Sequence, residues 1–286
     1  LSFYEANFEK SFIFFQNIIK GNLNAVNTNL NFTFDNLQER IKQEYKDFNK
    51  AKKEEDQKSL DKFANDFRDS FRTFKNALIK DNNLLDASNF HKYELYCKEL
   101  ELKNKKAITF KDIVDRYQLF FYRKLCDHHT DILQSLNSLI LVIGIFVLSS
   151  VVMVFGFNYS LGYKPILEHW YFSLDFYNHH INSIIQDNYL FVVKVNFAML
   201  FTYLGLVGLA LCLKYMREFF IIISYGVTLF VLMVSPKILI PAMGFFTDKR
   251  AMLDPLSTIG GIYTIVFGFV VFSFIKTIRK NSIVPS

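Results

Sequence analysis

The sequence has few cysteines and none of the motifs of the familiar enzyme classes. Cys97, Cys126 and Cys212 lie far apart, without a CxxC motif or an even-numbered disulfide framework, so reduced thiols are expected. The sequence contains no GxSxG, P-loop, HExxH or GxGxxG motif and no TVGYG potassium filter. We therefore expect a protein that is not an enzyme, with no catalytic or metal site and no cofactor.

Charged residues are scarce in the second half of the chain. Residues 1–131 contain 23 basic residues (Lys or Arg) and 21 acidic residues (Asp or Glu). Residues 132–286 contain only 10 basic and 6 acidic residues. This change predicts a boundary near residue 131, between a charged, water-facing part and an apolar part. Acids alternate with the bases of the first part, so the net charge of +6 does not indicate a nucleic-acid partner.

The apolar part contains four runs long enough to cross a bilayer. About 20 apolar residues, each rising about 1.5 Å, span the roughly 30 Å hydrocarbon layer. Lipid offers backbone polar groups no partner, so these runs are predicted to be helices. Residues 132–286 are thus predicted to form a four-helix transmembrane bundle, and residues 236–254 either a loop or a short re-entrant segment. The predicted spans are residues 136–155, 195–213, 219–235 and 255–275.

Lysine and arginine placement predicts the orientation of these spans. Basic residues are concentrated before the first span, in the short turn between the second and third, and in the tail. Because such residues favour the cytoplasmic side, we expect both termini to be cytoplasmic and the 157–190 loop to lie on the opposite side. The predicted membrane-interface residues are Arg116, Arg123, Lys124, Trp170, Lys214, Arg217, Lys276, Arg279 and Lys280.

Small and polar residues occur inside the predicted spans. Glycines at 205, 208, 260, 261 and 268 are expected to let helices approach closely. A conduction path would need polar groups at membrane depth. Polar side chains inside a span bond to a neighbouring helix more often than they line such a path. The candidates near that depth are Asn196, Thr202, Ser224, Thr228 and Lys237.

Residues 31–131 are predicted to form a cytosolic helical module. Asp35, with Gln38 three residues later, predicts a capped helix start. From Ser59 to Leu78, apolar residues recur at helical spacing, and a turn at 80–83 leads into a partner helix. The pair resembles a single TPR-like hairpin, although generic helical packing explains it equally well. The residues expected to face back onto the first helix are Leu85, Phe90, Tyr93, Cys97 and Leu100.

The last helix of this module is predicted to be amphipathic and juxtamembrane. Thr109 and Asp112 mark its start, and basic residues lie away from its aromatic face. Two interpretations remain open: the helix lies in the lipid headgroup layer, or it packs on the hairpin. The residues of the aromatic face are Phe110, Ile113, Val114, Tyr117, Phe120 and Phe121.

The loop between the first two spans carries carboxylates and histidines, including Glu168, His169, His179 and His180. Such groups can bind transition metals, but their spacing fits no ligand motif, and the adjacent His179 and His180 cannot both face one ion from a helix. Aromatic residues surround them. Trp170 and its aromatic neighbours, Tyr171, Phe172 and Tyr177, predict an interfacial belt instead.

Large apolar residues recur every five positions at the start of the chain. Neither a helix, with period 3.6, nor a strand, with period 2, explains this spacing. The segment Ala6-Asn7-Phe8-Glu9-Lys10 resembles a pentapeptide repeat, A(D/N)(L/F)xx, which implies a square right-handed β-helix with each centre residue pointing inward. Residues 1–30 are then its last coil or coils; an irregular β segment is the alternative. The centre residues are Phe3, Phe8, Ile13, Ile18 and Leu23.

The whole chain resembles the C-terminal part of a bacterial membrane-anchored pentapeptide-repeat protein, also in its final segment GGIYTIVFGFVVFSFIKTIRKNS. The resemblance implies no substrate and no catalytic residue. We expect a mainly α, multi-pass protein of the bacterial inner membrane that acts as a non-catalytic scaffold, with the lipid bilayer and a protein as partners. Homo-oligomerisation is left open. The alternative is an ion channel or small-solute transporter subunit with a cytosolic regulatory module.

Overall fold

A computed structural model describes residues 32–50, 57–160, 162, 170–234 and 254–281. The chain divides into two compact units, one formed by Leu1–Asp131 with Lys280–Ser286 and the other by Ile132–Arg279. Every regular element among the described residues is a helix, which confirms the mainly α fold class. The predicted β-helix of residues 1–30 and most of the 236–254 segment lie outside the described residues.

The first unit contains four described helices: α1 (Phe34–Lys50), α2 (Leu60–Lys80), α3 (Leu84–Asn104) and α4 (Phe110–Cys126). Leu37 and Ile41 on α1 are buried against the aromatic core that α2 and α3 form. The predicted cap of α1 was wrong. Because the helix begins at Phe34, Asp35 already lies in its first turn, and the Thr33 hydroxyl instead accepts a hydrogen bond from the Asn36 amide at 3.3 Å.

Helices α2 and α3 form the predicted hairpin. On α2, the buried side chains include Phe63, Phe67 and Phe74. The residues of α3 expected to face them are also buried, with one exception. Leu85 is 67% exposed, so its predicted inward position was wrong. It lies in the first turn of α3, where the chain has just left the end of α2 and no facing turn covers it. The confirmed inward residues of α3 are Phe90, Tyr93, Cys97 and Leu100.

The second unit contains α5 (Ile132–Ser160), α6 (Trp170–Asp187), α7 (Tyr189–Cys212), α8 (Lys214–Val234) and α9 (Pro255–Asn281). Four of these, α5, α7, α8 and α9, are long and apolar enough to cross a membrane. This agrees with the four predicted spans and indicates a membrane-embedded protein. The helices extend beyond the predicted runs because polar residues near their ends continue the same helical backbone.

Helix α6 lies within the segment predicted to be a loop. Its Tyr177 was expected in an interfacial aromatic belt, but the side chain is fully buried. The Tyr177 ring packs edge-on against the Phe157 ring of α5, with 4.8 Å between the ring centroids. The Tyr177 hydroxyl donates a hydrogen bond to the Asp254 carboxylate. Asp254 also accepts hydrogen bonds from the amides of Leu256 and Ser257, so it caps α9. A polar contact thus ties α6 to the start of α9.

Helix α5 packs most closely on α8, at a glycine that the sequence analysis did not single out. A Cβ atom at Gly144 would lie 2.2 Å from Ser224 Oγ and 2.6 Å from Ser224 Cα. By contrast, a Cβ atom at Gly205, Gly208 or Gly268 would meet no atom of the described part of the chain within 4 Å. The expectation that these three glycines mark close helix approaches was therefore wrong, since close approach depends on which helix face meets a neighbour.

Replacing Gly144 with alanine should force α5 and α8 apart, because the new methyl group would overlap the Ser224 backbone. Overpacking of this kind costs about 1–3 kcal/mol, so the thermal unfolding midpoint of the detergent-solubilised chain should fall. Gly156→Ala is the matched control on the same helix, since a Cβ atom there meets nothing within 4 Å. An unfolding midpoint for Gly144→Ala equal to that of the control would contradict the packing.

Candidate interaction surfaces

Glu94 is the centre of a charge network between α2 and α3. Its carboxylate accepts hydrogen bonds from Arg72 Nε at 2.8 Å and Lys75 Nζ at 2.7 Å, and lies 3.3 Å from His91 Nδ1. Burial alone would raise the pKa of Glu94, but the hydrogen bonds from His91, Lys75 and Arg72 outweigh it and lower the pKa from 4.5 to about 2. The carboxylate is therefore ionised and fully paired at neutral pH.

A second group of charges lies further along the same hairpin. Glu101 accepts hydrogen bonds from Arg68 and, at 2.9 Å, from Lys98 Nζ. It also borders an open cavity of about 320 Å³ that is lined mostly by charged side chains of both signs. One of the lining cations, Lys58, pairs with Asp66 at 2.7 Å. Among the described residues, the cavity is therefore bordered by charged and amide side chains and has the character of a solvated ion-pair surface.

Arg123 fixes the C-terminal part of α4 to the rest of its unit. The guanidinium donates from Nε and Nη2 to both carboxylate oxygens of Glu99 on α3, each at 2.8 Å. Its Cζ also lies 3.8 Å from the ring centroid of Phe34 on α1. Bidentate arginine–carboxylate pairs are among the stronger side-chain interactions. Arg123, predicted as a membrane-interface residue, thus joins three helices of the first unit.

The turn after α4 is held in an unusual backbone conformation. Asp127, His128 and His129 have φ values of 47°, 57° and 65°, in the left-handed region that costs roughly 1–2 kcal/mol for a residue with a Cβ atom. The Asp127 carboxylate accepts a hydrogen bond from Tyr96 and lies 3.4 Å from Lys92 Nζ. These contacts to α3 help to hold the strained turn in place.

The two histidines of this turn are both buried. Burial, reinforced by nearby positive charges such as that of Arg123, lowers the pKa of His128 from 6.5 to about 3. The His128 imidazole is therefore neutral at physiological pH. His129 Nδ1 lies 3.4 Å from Cys126 Sγ. Within the described ranges, no three His, Cys, Asp or Glu side chains are grouped as metal ligands would be.

The N-terminal half of α4 presents an apolar face to the surroundings. Phe110 is 81% exposed and Tyr117 69%, with Ile113 and Val114 between them also exposed. These four residues follow the i, i+3, i+4, i+7 spacing of a single helix face. We call this surface the α4 stripe. Large contiguous apolar patches are uncommon on water-facing surfaces and mark sites of interaction with proteins or membranes.

A second apolar surface lies at the tip of the α2–α3 hairpin. Ile79 near the end of α2 and Leu84 and Leu85 at the start of α3 are 45%, 58% and 67% exposed. The turn between them is stabilised by Asn83, whose side chain accepts a hydrogen bond from the Asp86 amide. We call these three residues the hairpin tip. This surface was not predicted, because the helical spacing of Leu85 would place it in the core.

The other predicted interface residues occupy different environments. Arg116 is exposed beside the α4 stripe, and Lys124 lies over the Phe120 ring. Arg217, at the start of α8, donates to the Gln134 carbonyl and the Ser138 hydroxyl of α5, each at 3.2 Å. Lys276 and Arg279 are exposed near the end of α9, whereas Lys280 is half-buried. The side chains of Trp170 and Lys214, and the repeat residues Phe3, Phe8, Ile13, Ile18 and Leu23, lie outside the described residues.

The polar candidates within the spans divide into two groups. Asn196, Ser224 and Thr228 are buried in the second unit, whereas Thr202 is exposed on the outside of α7. Lys237 lies outside the described residues. The structure adds Tyr203, whose buried hydroxyl, like those of Ser224 and Thr228, has no hydrogen-bond partner among the described residues. Apolar spacing does not distinguish Tyr203 from other tyrosines that pack in apolar cores.

The chain matches no protein-family model, no curated protein and no solved structure. The interaction surfaces are therefore interpreted from their own chemistry.

Replacing Glu94 with glutamine should destabilise the first unit in a pH-dependent way. The lowered pKa means that the ionised carboxylate stabilises the fold fully above about pH 4.5, and that this contribution is lost as the pH falls through about 2. At neutral pH we expect a loss of about 1–3 kcal/mol, because charge-assisted hydrogen bonds are lost while the partly exposed Arg72 stays hydrated. Thermal unfolding of the detergent-solubilised chain across this pH range measures the difference.

Glu39→Gln is the matched control, because Glu39 is exposed on α1. Its unfolding midpoint should stay close to that of the unmodified chain at every pH. A Glu94→Gln deficit that stays constant from neutral pH to pH 2 would contradict the assigned role of the carboxylate.

Proposed function

We propose that this chain is a non-catalytic, membrane-anchored interaction protein of the bacterial inner membrane, resembling the C-terminal part of a pentapeptide-repeat protein. One observation carries the proposal. Many charges of the helical hairpin are paired with each other or with α4, while the exposed large apolar side chains of the described residues 32–131 are concentrated at the hairpin tip and on the α4 stripe. A surface of this kind favours docking over chemistry, since catalysis needs polar groups that are free to act on a substrate.

The hairpin tip is the surface that we assign to a protein partner. Leu84 and Leu85 stand on the first turn of a helix whose buried face is fixed by aromatic packing, so they are held in place before a partner arrives. Preorganised apolar anchors contribute most to protein–protein affinity because little side-chain entropy is lost on binding. The sequence resemblance to a TPR-like hairpin is consistent with this role.

The proposed orientation places the helical unit in the cytoplasm. It follows from the basic residues before α5, in the α7–α8 turn and at the end of α9, which favour the cytoplasmic side. Four spans return the chain to the side on which it started. The tip and the α4 stripe would then face cytosolic partners and the inner leaflet.

A second candidate function, as a channel or transporter subunit, is favoured by one specific observation. The buried hydroxyls of Tyr203, Ser224 and Thr228 have no hydrogen-bond partner among the described residues. Polar groups inside a bundle can line a path for water or ions. The span interiors carry no ionisable acid or base that would bind a cargo ion directly, so we rank this function second.

Two measurements on the full-length chain test the proposal against this alternative. The first is chemical crosslinking in native membranes, where a specific partner should be lost in the double variant Leu84→Asp/Leu85→Asp. The introduced carboxylates would have to be desolvated at the docking surface, which is costly. Gln43→Asp, at an exposed position of α1, is the matched control and should retain the partner.

The second measurement is potassium and proton flux in liposomes containing the purified chain. We expect flux no greater than in empty liposomes. Flux that is abolished by Thr228→Val, which removes the buried hydroxyl at nearly constant volume, would overturn the scaffold function and establish the transport alternative.

A further inference from the structure

We infer that the α4 stripe docks into the headgroup layer of an anionic lipid leaflet, so that α4 is a surface-bound helix joined to the first membrane span by residues 127–131. This inference rests on the proposed function, because it takes the helical unit to lie beside the membrane in which the chain is anchored. It assigns the stripe to lipid and leaves the hairpin tip for a protein partner.

The exposure of α4 changes along its length. The last two residues, Leu125 and Cys126, are buried, and Arg123 is paired with Glu99, so this end is fixed to α3. From Phe110 to Gln118, by contrast, all side chains are exposed except those of Asp112 and Asp115, which are half-buried. One end of the helix is therefore held by protein contacts, while the stripe at the other end faces outward.

The charges around the stripe are arranged as on an interfacial helix. At 100° per residue, Lys111 and Arg116 lie on opposite flanks of the stripe, and both are exposed. Asp112 and Asp115 lie on the far side of the helix, and Asp112 is engaged in the N-terminal cap with Thr109 and in a 2.8 Å pair with Lys105. Basic flanks beside an aromatic face suit anionic headgroups above acyl chains.

The short connection between α4 and α5 also favours docking of α4 at the membrane. Only residues 127–131 separate the end of α4 from α5, the first span. A helix tethered so closely to a membrane span meets the bilayer at a high effective concentration, so even weak affinity is sufficient for docking. With acidic and basic residues distributed along its 17 residues, α4 is too short and too polar to cross the bilayer itself.

The test uses tryptophan as a depth probe in the full-length chain, which has a single native tryptophan. In a Trp170→Phe background, Phe110→Trp places the probe on the stripe and Asp115→Trp places it on the opposite face. Each protein is reconstituted in phosphatidylcholine vesicles, with or without phosphatidylglycerol, that contain lipids brominated on the acyl chains. We expect several-fold stronger quenching at position 110 than at position 115, and a further increase with phosphatidylglycerol.

Charge-reversed variants test the contribution of the basic flanks. Lys111→Glu/Arg116→Glu should remove the effect of phosphatidylglycerol on quenching at position 110. Lys42→Glu/Lys46→Glu reverses two exposed charges on α1 and should leave that effect unchanged. Thermal unfolding of each variant shows that the fold is retained.

The outcomes separate this inference from the proposed function. Equal quenching at positions 110 and 115 in both lipids would overturn lipid docking and would indicate that another protein segment or partner covers the stripe. Strong quenching that is independent of phosphatidylglycerol would overturn the anionic specificity. Both leaflets of the vesicles have the same composition, so the result does not depend on how the chain inserts. Loss of the crosslinked partner at the hairpin tip remains the separate test of the proposed function.

Discussion

The absence of water in the lipid bilayer is the constraint on which this structure depends. Backbone polar groups within a span must bond to one another, so every regular element among the described residues of the apolar half is a helix. The same constraint disfavours charges in the span interiors, and the two charged side chains that contact the helix backbone here lie near helix ends. Asp254 at the start of α9 and Arg217 at the start of α8 each use a charged side chain to fix a helix terminus.

The charged half of the chain depends on different interactions for its stability. Water would hydrate its many lysines, arginines and carboxylates equally well in an unfolded chain, so its stability depends on an aromatic core with ion pairs around it. Glu94 joins α2 to α3, and Arg123 joins α4 to α3 and α1. Besides many exposed polar side chains, the described residues 32–131 therefore present exposed apolar side chains at the hairpin tip and on the α4 stripe.

Sequence periodicity predicted most of the helices, because apolar spacing reports directly on which face a helix buries, but the segment that contains α6 was predicted to be a loop. Periodicity failed where the environment of a side chain depends on the position of a neighbouring helix. Leu85 matches the core pattern but lies beyond the end of α2, and Tyr177 matches an interfacial belt but meets Asp254. Gly144 approaches Ser224 while the more conspicuous Gly205 and Gly208 do not. The pairings of Arg123 and Glu94 likewise require the relative placement of helices, which spacing does not contain.

With the proposed topology, the helical unit and the α5–α6 connection lie on opposite sides of the membrane. Labelling with a membrane-impermeant maleimide tests this directly in intact cells with Cys212 replaced by serine, since Cys97 and Cys126 are buried. A cysteine at the exposed position Ser160 should be labelled from outside the inner membrane. A cysteine at the exposed position Lys103 should react only after the membrane is permeabilised. Labelling of Lys103→Cys from outside, with protection of Ser160→Cys, would contradict the account.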